Sequence, residues 1–132
     1  HIVSWLQNYS RQSGTEGFVV GISGGIDSAV TSTLCAMTGL RVIAVSMPIR
    51  QGRQELDRSN EHIAWLKKHF SNVESREVVL DKVLEACEET FPEEVQEFLV
   101  MANTRARLRM TTLYAFAGKY KLLLAGTGNK IE

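Results

Sequence analysis

The sequence has few of the residues that define specialised protein classes. Its 132 residues include two cysteines, two prolines and no excess charge, because fifteen basic residues balance fifteen acidic ones. Cys35 and Cys87 lie in no CxxC or Cys/His cluster, which argues against a disulfide scaffold and favours a reducing, cytoplasmic setting. A net charge of zero lacks the cationic field of a duplex-binding module, so nucleic acid is not an expected partner.

Long apolar runs and histidine clusters are also missing. No stretch approaches the roughly 20 apolar residues that span a bilayer, and the N-terminus lacks the features of a signal peptide, so no membrane partner is expected. His62 and His69 are seven residues apart on one amphipathic segment, a spacing that favours solvated helix positions over zinc ligands. The length and the 44% hydrophobic content suit a single globular domain over residues 1–132.

Both ends of the sequence suggest truncation. Apolar residues already recur at helical spacing directly after His1, and the apolar run 122–124 leads into a glycine-containing loop where the chain stops. We therefore expect that a C-terminal part of the domain is missing and that these 132 residues alone are inactive.

Between the ends, segments typical of strands and helices alternate. Short apolar runs predict parallel strands at 18–23, 41–47, 77–80 and 121–125, and helical patterns cover 27–37 and 56–70. The segment 81–97 carries seven acidic residues and one lysine, which indicates a solvated face. A long helix is predicted from Pro92 to Gly118, with an apolar stripe formed by Val95, Leu99, Ala102, Ala106, Met110, Leu113 and Ala117. This alternation predicts an α/β fold, an open twisted parallel sheet with helices on both faces.

The most informative segment follows the first predicted strand and reads Gly21, Ile22, Ser23, Gly24, Gly25, Ile26, Asp27 and Ser28. Ligands bind at this end of the strands in open α/β sheets. Adjacent glycines let the backbone approach a ligand closely, and the start of a helix offers unpaired N–H groups to an anion. The segment therefore predicts a phosphate-binding loop.

Asp27 narrows the type of loop. A Walker A loop needs a lysine that is absent here, and the glycine spacing does not fit the dinucleotide pattern GxGxxG. A carboxylate beside phosphates is unfavourable unless a cation lies between them, so Asp27 indicates Mg²⁺. The alternative is that Asp27 or Ser28 only caps the helix.

The run Ser23–Ser28 resembles the SGGxDS loop of the N-type ATP pyrophosphatases, which include NAD synthetases, GMP synthetases and tRNA-modifying enzymes. The resemblance implies an adenine nucleotide alpha hydrolase-like fold. It also implies that ATP is split between its α- and β-phosphates, that an oxygen of the substrate is adenylated, and that a nucleophile then displaces AMP.

Two further segments resemble the NAD synthetase family in particular. The run 103–110 is similar to the N-x-x-A-R-x-R-M helix of that family, and the run 126–132 to its GTxNxxE loop. The resemblance implies that Arg107 contacts deamido-NAD, that Thr127 contacts ATP, and that Glu132 joins Asp27 as a magnesium ligand. Arg105 and Arg109, on the other flank of the helix, are expected to be surface charges or partners of the acidic segment.

The implied reaction is the amidation of deamido-NAD to NAD, with ATP as co-substrate, Mg²⁺ as cofactor and ammonia, free or derived from glutamine, as nitrogen donor. The resemblance also implies a homodimer in which the neighbouring subunit helps to form the deamido-NAD site. Two alternatives stay open at this point: another adenylating enzyme with the same loop, such as a GMP synthetase or a tRNA-modifying enzyme, and an inactive nucleotide-binding sensor.

Overall fold

The computed structural model of the protein describes residues 1–126. These residues form five α-helices, one short 3-10 helix and four strands. The helices are α1 (Ile2–Ser13), α2 (Ile26–Met37), α3 (Arg53–His69), α4 (Asp81–Thr90) and α5 (Phe98–Tyr120), with the 3-10 turn at Glu93–Val95. The strands are β1 (Gly17–Ile22), β2 (Arg41–Ser46), β3 (Val73–Glu77) and β4 (Leu123–Leu124).

The four strands form one parallel sheet in the order β3-β2-β1-β4. Phe18 of β1 lies opposite Val42 of β2 on one side and opposite Leu123 of β4 on the other. This arrangement confirms the predicted open parallel α/β sheet, and it places the fourth strand beside the first.

Alternate residues of the central strands enter two separate hydrophobic cores. Phe18, Val20 and Ile22 face a core that includes Leu66 and is completed by residues of α1, α2 and α3. The opposite face, represented by Val19, packs on α4 and α5. Because both faces of β1 and β2 are covered, these strands read as continuous apolar runs in the sequence.

The third strand was predicted at 77–80 and lies instead at Val73–Glu77. It forms the edge of the described sheet, where polar side chains are tolerated: Glu74 pairs with Arg41 of the neighbouring strand. The apolar residues 78–80, which suggested a strand, follow β3 in the chain and lie beside the end of β2. There the Val78 N–H donates to the carbonyl of Ser46 over 2.8 Å. The prediction followed the apolar residues and therefore missed a polar edge strand.

The long helix begins at Phe98 and not at Pro92, which precedes the 3-10 turn. The predicted apolar stripe is confirmed only in the second half of the helix. Leu113 is buried and Ala117 packs against the core, as predicted, whereas Leu99 remains 72% exposed and Met101 is buried near the start of the helix. Apolar residues occur around most of this helix, so periodicity alone could not select the packed face over its whole length. Among residues 1–126, no helix combines the length and the apolar character needed to cross a membrane.

Candidate active site

The loop predicted to bind phosphate connects β1 to α2 at the carboxyl ends of the strands. In the sheet order β3-β2-β1-β4, the chain proceeds from β1 to β2 on one side and returns to β4 on the other. The point between β1 and β4 is thus a topological switch point, where open α/β sheets leave a crevice for ligands. Residues 23–25 directly follow β1 and therefore lie at this edge of the sheet.

Gly24 makes a close approach that a side chain would block. Its φ of +87° lies in the left-handed region, and a Cβ at this position would lie 2.9 Å from the backbone oxygen of Glu55 and 3.3 Å from Ser59 Oγ. The start of α3 therefore packs directly against the loop. Gly25 has an ordinary φ of −90°, so this glycine is not required by the backbone conformation of the loop.

Two serines hold the loop together from inside. The Ser23 N–H donates to Ser28 Oγ over 3.1 Å, and the two hydroxyl oxygens are 3.2 Å apart. Ser28 Oγ also donates to the carbonyl of Gly25 over 3.2 Å, and the Gly25 N–H donates to Ser23 Oγ. Ser28 is buried, whereas Ser23 is exposed, so Ser23 is the serine whose side chain a ligand can reach.

The N-terminus of α2 is open to a ligand. The first helical bond runs from the Ala29 N–H to the carbonyl of Gly25, so the N–H groups of residues 26–28 precede the intrahelical bonding pattern. No side chain caps this helix. The alternative in which Asp27 or Ser28 serves only as a cap is therefore not observed. Asp27 lies in the first turn with its side chain exposed.

The residues of the loop between β1 and α2 fit a Mg²⁺ ion that takes most of its ligands from a bound phosphate substrate and one from the protein. Mg²⁺ commonly takes one or two carboxylates together with phosphate oxygens, and Asp27 offers one exposed carboxylate in the first turn of α2. Within residues 1–126, no three His, Cys, Asp or Glu side chains come close enough to form a metal site by themselves. Glu132, predicted as the second ligand, and Thr127, predicted to contact ATP, lie outside the described residues.

The three arginines of α5 have different surroundings. Arg107 is exposed, and Arg105 lies close enough to Glu88 to contribute to the lowered pKa of that carboxyl, after the larger effect of the hydrogen bond from Arg50. The expectation that Arg109 is a surface charge is wrong. Its side chain is partly buried, and its Nε donates to the carbonyl of Met47 over 3.2 Å. The structure thus brings Arg109, and not Arg107, to the carboxyl end of β2.

His62 also differs from its prediction as a solvated residue. Its Nε2 lies 2.9 Å from Oγ of the buried Ser32, and its ring stacks on Trp65. Burial lowers the pKa of His62 below the ordinary value of 6.5. His62 and Trp65 line an apolar groove of about 400 Å³ between α2 and α3, together with Ile26, Ala29, Val30, Thr33 and Leu34. The 30-residue separation of Ser32 and His62 in sequence gave no signal of this contact.

Comparison with known proteins identifies the family of this chain. Residues 1–132 match the family model described as NAD synthase. The NH(3)-dependent NAD(+) synthetase of Methanosarcina acetivorans is 35% identical over 99% of this chain and 51% of its own length. The structure of an NH3-dependent NAD synthetase from Campylobacter jejuni superposes with a TM-score of 0.85 at 30% identity, covering 98% of this chain and 54% of the other.

A related structure carries a different name. The NMN synthetase of Francisella tularensis superposes with a TM-score of 0.84 at 34% identity, covering 97% of this chain and 52% of the other. The chain spans about half the length of the curated relatives it matches. Since the family match extends over all 132 residues, the chain belongs to the NAD synthase family.

Proposed function

We propose that these residues form the ATP-binding half of a cytoplasmic ligase that amidates deamido-NAD to NAD, with ammonia, free or derived from glutamine, as nitrogen donor. The observation that carries the proposal is the loop between β1 and α2. It combines a close backbone approach at Gly24, an uncapped helix N-terminus and the exposed carboxylate of Asp27 at the switch point of the sheet. Because the chain belongs to the NAD synthase family, we infer that this phosphate site serves NAD synthesis.

In this proposal, the loop from Gly21 to Ser28 holds the phosphates of ATP. The N–H groups of residues 26–28 donate to phosphate oxygens, the exposed Ser23 hydroxyl adds a donor, and the buried Ser28 keeps the loop closed. Asp27, with Glu132, would hold Mg²⁺, which neutralises charge on the pyrophosphate leaving group when it is bound. Thr127 would supply a further contact to ATP.

The reaction then needs no protein nucleophile. The carboxylate of the nicotinic acid ring attacks the α-phosphorus of ATP, and the bond to the β-phosphate oxygen breaks to release pyrophosphate. Ammonia attacks the carbonyl of the adenylated substrate and AMP leaves. The chain contributes orientation and charge stabilisation, through the loop N–H groups and through Arg107 on deamido-NAD.

A second copy of the chain is the proposed partner of α5. Val100, Met110 and Tyr114 are exposed apolar residues, and Tyr114 is 62% exposed. The exposed Arg107 lies seven residues from both Val100 and Tyr114, so it belongs to the same helical side. An arginine centred in an exposed apolar surface suits a substrate site that a neighbouring subunit completes.

Oligomeric state tests this part of the proposal. We expect the full-length protein to be a dimer by light scattering, and Tyr114→Asp to shift it towards monomer with loss of NAD synthesis. His69→Asp, which also adds a charge at an exposed aromatic position, serves as the matched control and should remain dimeric. A wild-type protein that is monomeric at assay concentration would contradict the dimer.

Product formation tests the activity itself. The full-length protein is incubated with ATP, Mg²⁺, ammonium and deamido-NAD, and NAD is quantified. Because the NMN synthetase from Francisella tularensis is 34% identical, a parallel reaction supplies the carboxylic acid that corresponds to NMN. We expect deamido-NAD to be the better acceptor. Pyrophosphate release with another acceptor, but without NAD, would move the assignment to a related adenylating enzyme.

A further inference from the structure

Arg109 occupies a position that its sequence motif did not reveal. One helical turn further along α5, Leu113 reaches the end of β1, where its Cδ1 lies 3.5 Å from the position of a Cβ on Gly21. Arg109 itself is tied by its Nε to the carbonyl of Met47, directly after β2. The side of α5 that carries Arg109 and Leu113 therefore crosses the same sheet edge that holds the phosphate-binding loop.

This guanidinium differs from other arginines that pack on the fold. Arg41 forms a two-pronged ion pair with Glu74, and Arg50 forms one with Glu88. In the part of the chain that the structure describes, Arg109 has no carboxylate within 4 Å, and its only hydrogen bond is to a neutral carbonyl. Its Nη1 and Nη2 groups have no hydrogen-bond acceptor among residues 1–126.

The electrostatic surroundings make that arrangement unfavourable without an anion. Burial lowers the pKa of Arg109, the neighbouring positive charge of Arg105 lowers it further, and only Glu55 opposes these effects. A partly desolvated cation beside a like charge is stabilised when an anion supplies the missing counter-charge. Glu55 belongs to the first turn of α3, which packs against Gly24, so this environment adjoins the loop.

We propose that Arg109 is an ATP-binding residue: Met47 anchors its Nε at the end of β2, and its two Nη groups donate to phosphate oxygens of ATP held by the adjacent loop. The planar guanidinium suits this task because Nη1 and Nη2 can both donate to one phosphate while the Nε–H stays bonded to the carbonyl of Met47. The inference rests on the proposed function, since it takes ATP as the ligand of the loop.

Direct nucleotide binding tests the assignment without relying on turnover. Calorimetry on the full-length protein compares wild type, Arg109→Gln and the matched control Arg105→Gln, with ATP and with adenosine as ligands. We expect Arg109→Gln to raise the Kd for ATP roughly 10- to 100-fold, the effect of losing charge-assisted hydrogen bonds. Its Kd for adenosine should stay within about twofold, and Arg105→Gln should have the smaller effect on ATP.

A purely structural role predicts a different result. If Arg109 only joins α5 to β2, Arg109→Gln lowers the melting temperature but leaves the ATP affinity of the folded protein unchanged, and that outcome overturns the proposal. An equal loss of ATP and adenosine affinity also overturns it. Should Arg109→Gln fail to fold, Arg109→Lys keeps the charge but loses the planar fork, and an unchanged ATP affinity there would refute the assignment.

Failure of this inference can be told apart from failure of the proposed function. Wild-type protein that binds ATP but makes no NAD contradicts the amidation reaction, while the comparison of Arg109 variants remains interpretable. Wild-type protein that makes NAD, together with an Arg109→Gln variant of normal ATP affinity, removes only the role of Arg109. Wild-type protein that binds no ATP contradicts both.

Discussion

Gly24 and Gly25 are adjacent, yet the structure assigns them different roles that alanine substitutions can separate. Gly24 has a left-handed φ and faces the backbone of α3, whereas Gly25 has an ordinary φ and its nearest non-neighbouring atom, Ser23 Oγ, would be 3.4 Å from an added Cβ. Gly24→Ala should therefore mainly destabilise the fold. Gly25→Ala should mainly impair the approach of a nucleotide to the loop.

The cost of Gly24→Ala has two parts. A left-handed backbone costs an alanine roughly 1–2 kcal/mol. The contact of 2.9 Å with the Glu55 oxygen adds about 1–3 kcal/mol, because neither backbone segment can yield as a flexible side chain would. Gly39 isolates the first part, since its φ is +77° and an added Cβ would meet nothing within 4 Å. Gly39→Ala should thus cost only the roughly 1–2 kcal/mol of backbone strain.

Urea denaturation and ATP calorimetry on the full-length protein measure the two effects. We expect the free energy of unfolding to be highest for Gly25→Ala, lower for Gly39→Ala and lowest for Gly24→Ala. ATP affinity should decrease in Gly25→Ala even though the stability of this variant is close to that of the wild type. Equal stability losses for Gly24→Ala and Gly39→Ala would refute the close approach of the loop to α3. Normal ATP affinity in Gly25→Ala would refute the role of this backbone in binding.

Three further predictions follow from individual side chains. Asp27→Asn should abolish NAD formation while circular dichroism stays unchanged, because the exposed carboxylate has no structural partner among the described residues. Because the pKa of His62 is lowered in the folded protein, the unfolded chain binds more protons as the pH falls below about 6.5, and the free energy of unfolding should decrease there. Denaturation at a series of pH values should show this dependence weakened in His62→Gln and preserved in His69→Gln. Leu113→Ala should cost about 2–5 kcal/mol in denaturation experiments because it opens a cavity in the core, whereas Leu99→Ala, at an exposed position, should cost less than about 0.5 kcal/mol.

The sheet and its loop were predictable from local patterns. The strands β1 and β2 are buried on both faces, so their apolar runs marked them clearly, and the glycines and serines after β1 predicted a turn into a helix that the structure shows. The edge strand β3 could not be found in this way. Its polar residues are stabilised by pairing with β2 and by the contact of Glu74 with Arg41, which depends on residues 33 positions apart.

The surroundings of the loop were less predictable than the loop itself. The sequence placed Arg105 and Arg109 on one flank of α5, but it could not indicate along the whole of this largely apolar helix which side packs on the sheet. That choice depends on Leu113 fitting against Gly21, a contact made possible by the absence of a side chain there. The bond between Ser32 and His62 likewise depends on the packing of α2 against α3.

The products of ATP test the central claim most directly. If the loop between β1 and α2 supports adenylation, the full-length protein with deamido-NAD, Mg²⁺ and ammonium should form AMP, pyrophosphate and NAD in equal amounts, and Asp27→Asn should form none of them. Phosphorus NMR of the reaction mixture distinguishes these products. Formation of ADP and inorganic phosphate, with or without NAD, would contradict cleavage between the α- and β-phosphates and with it the function proposed for this loop.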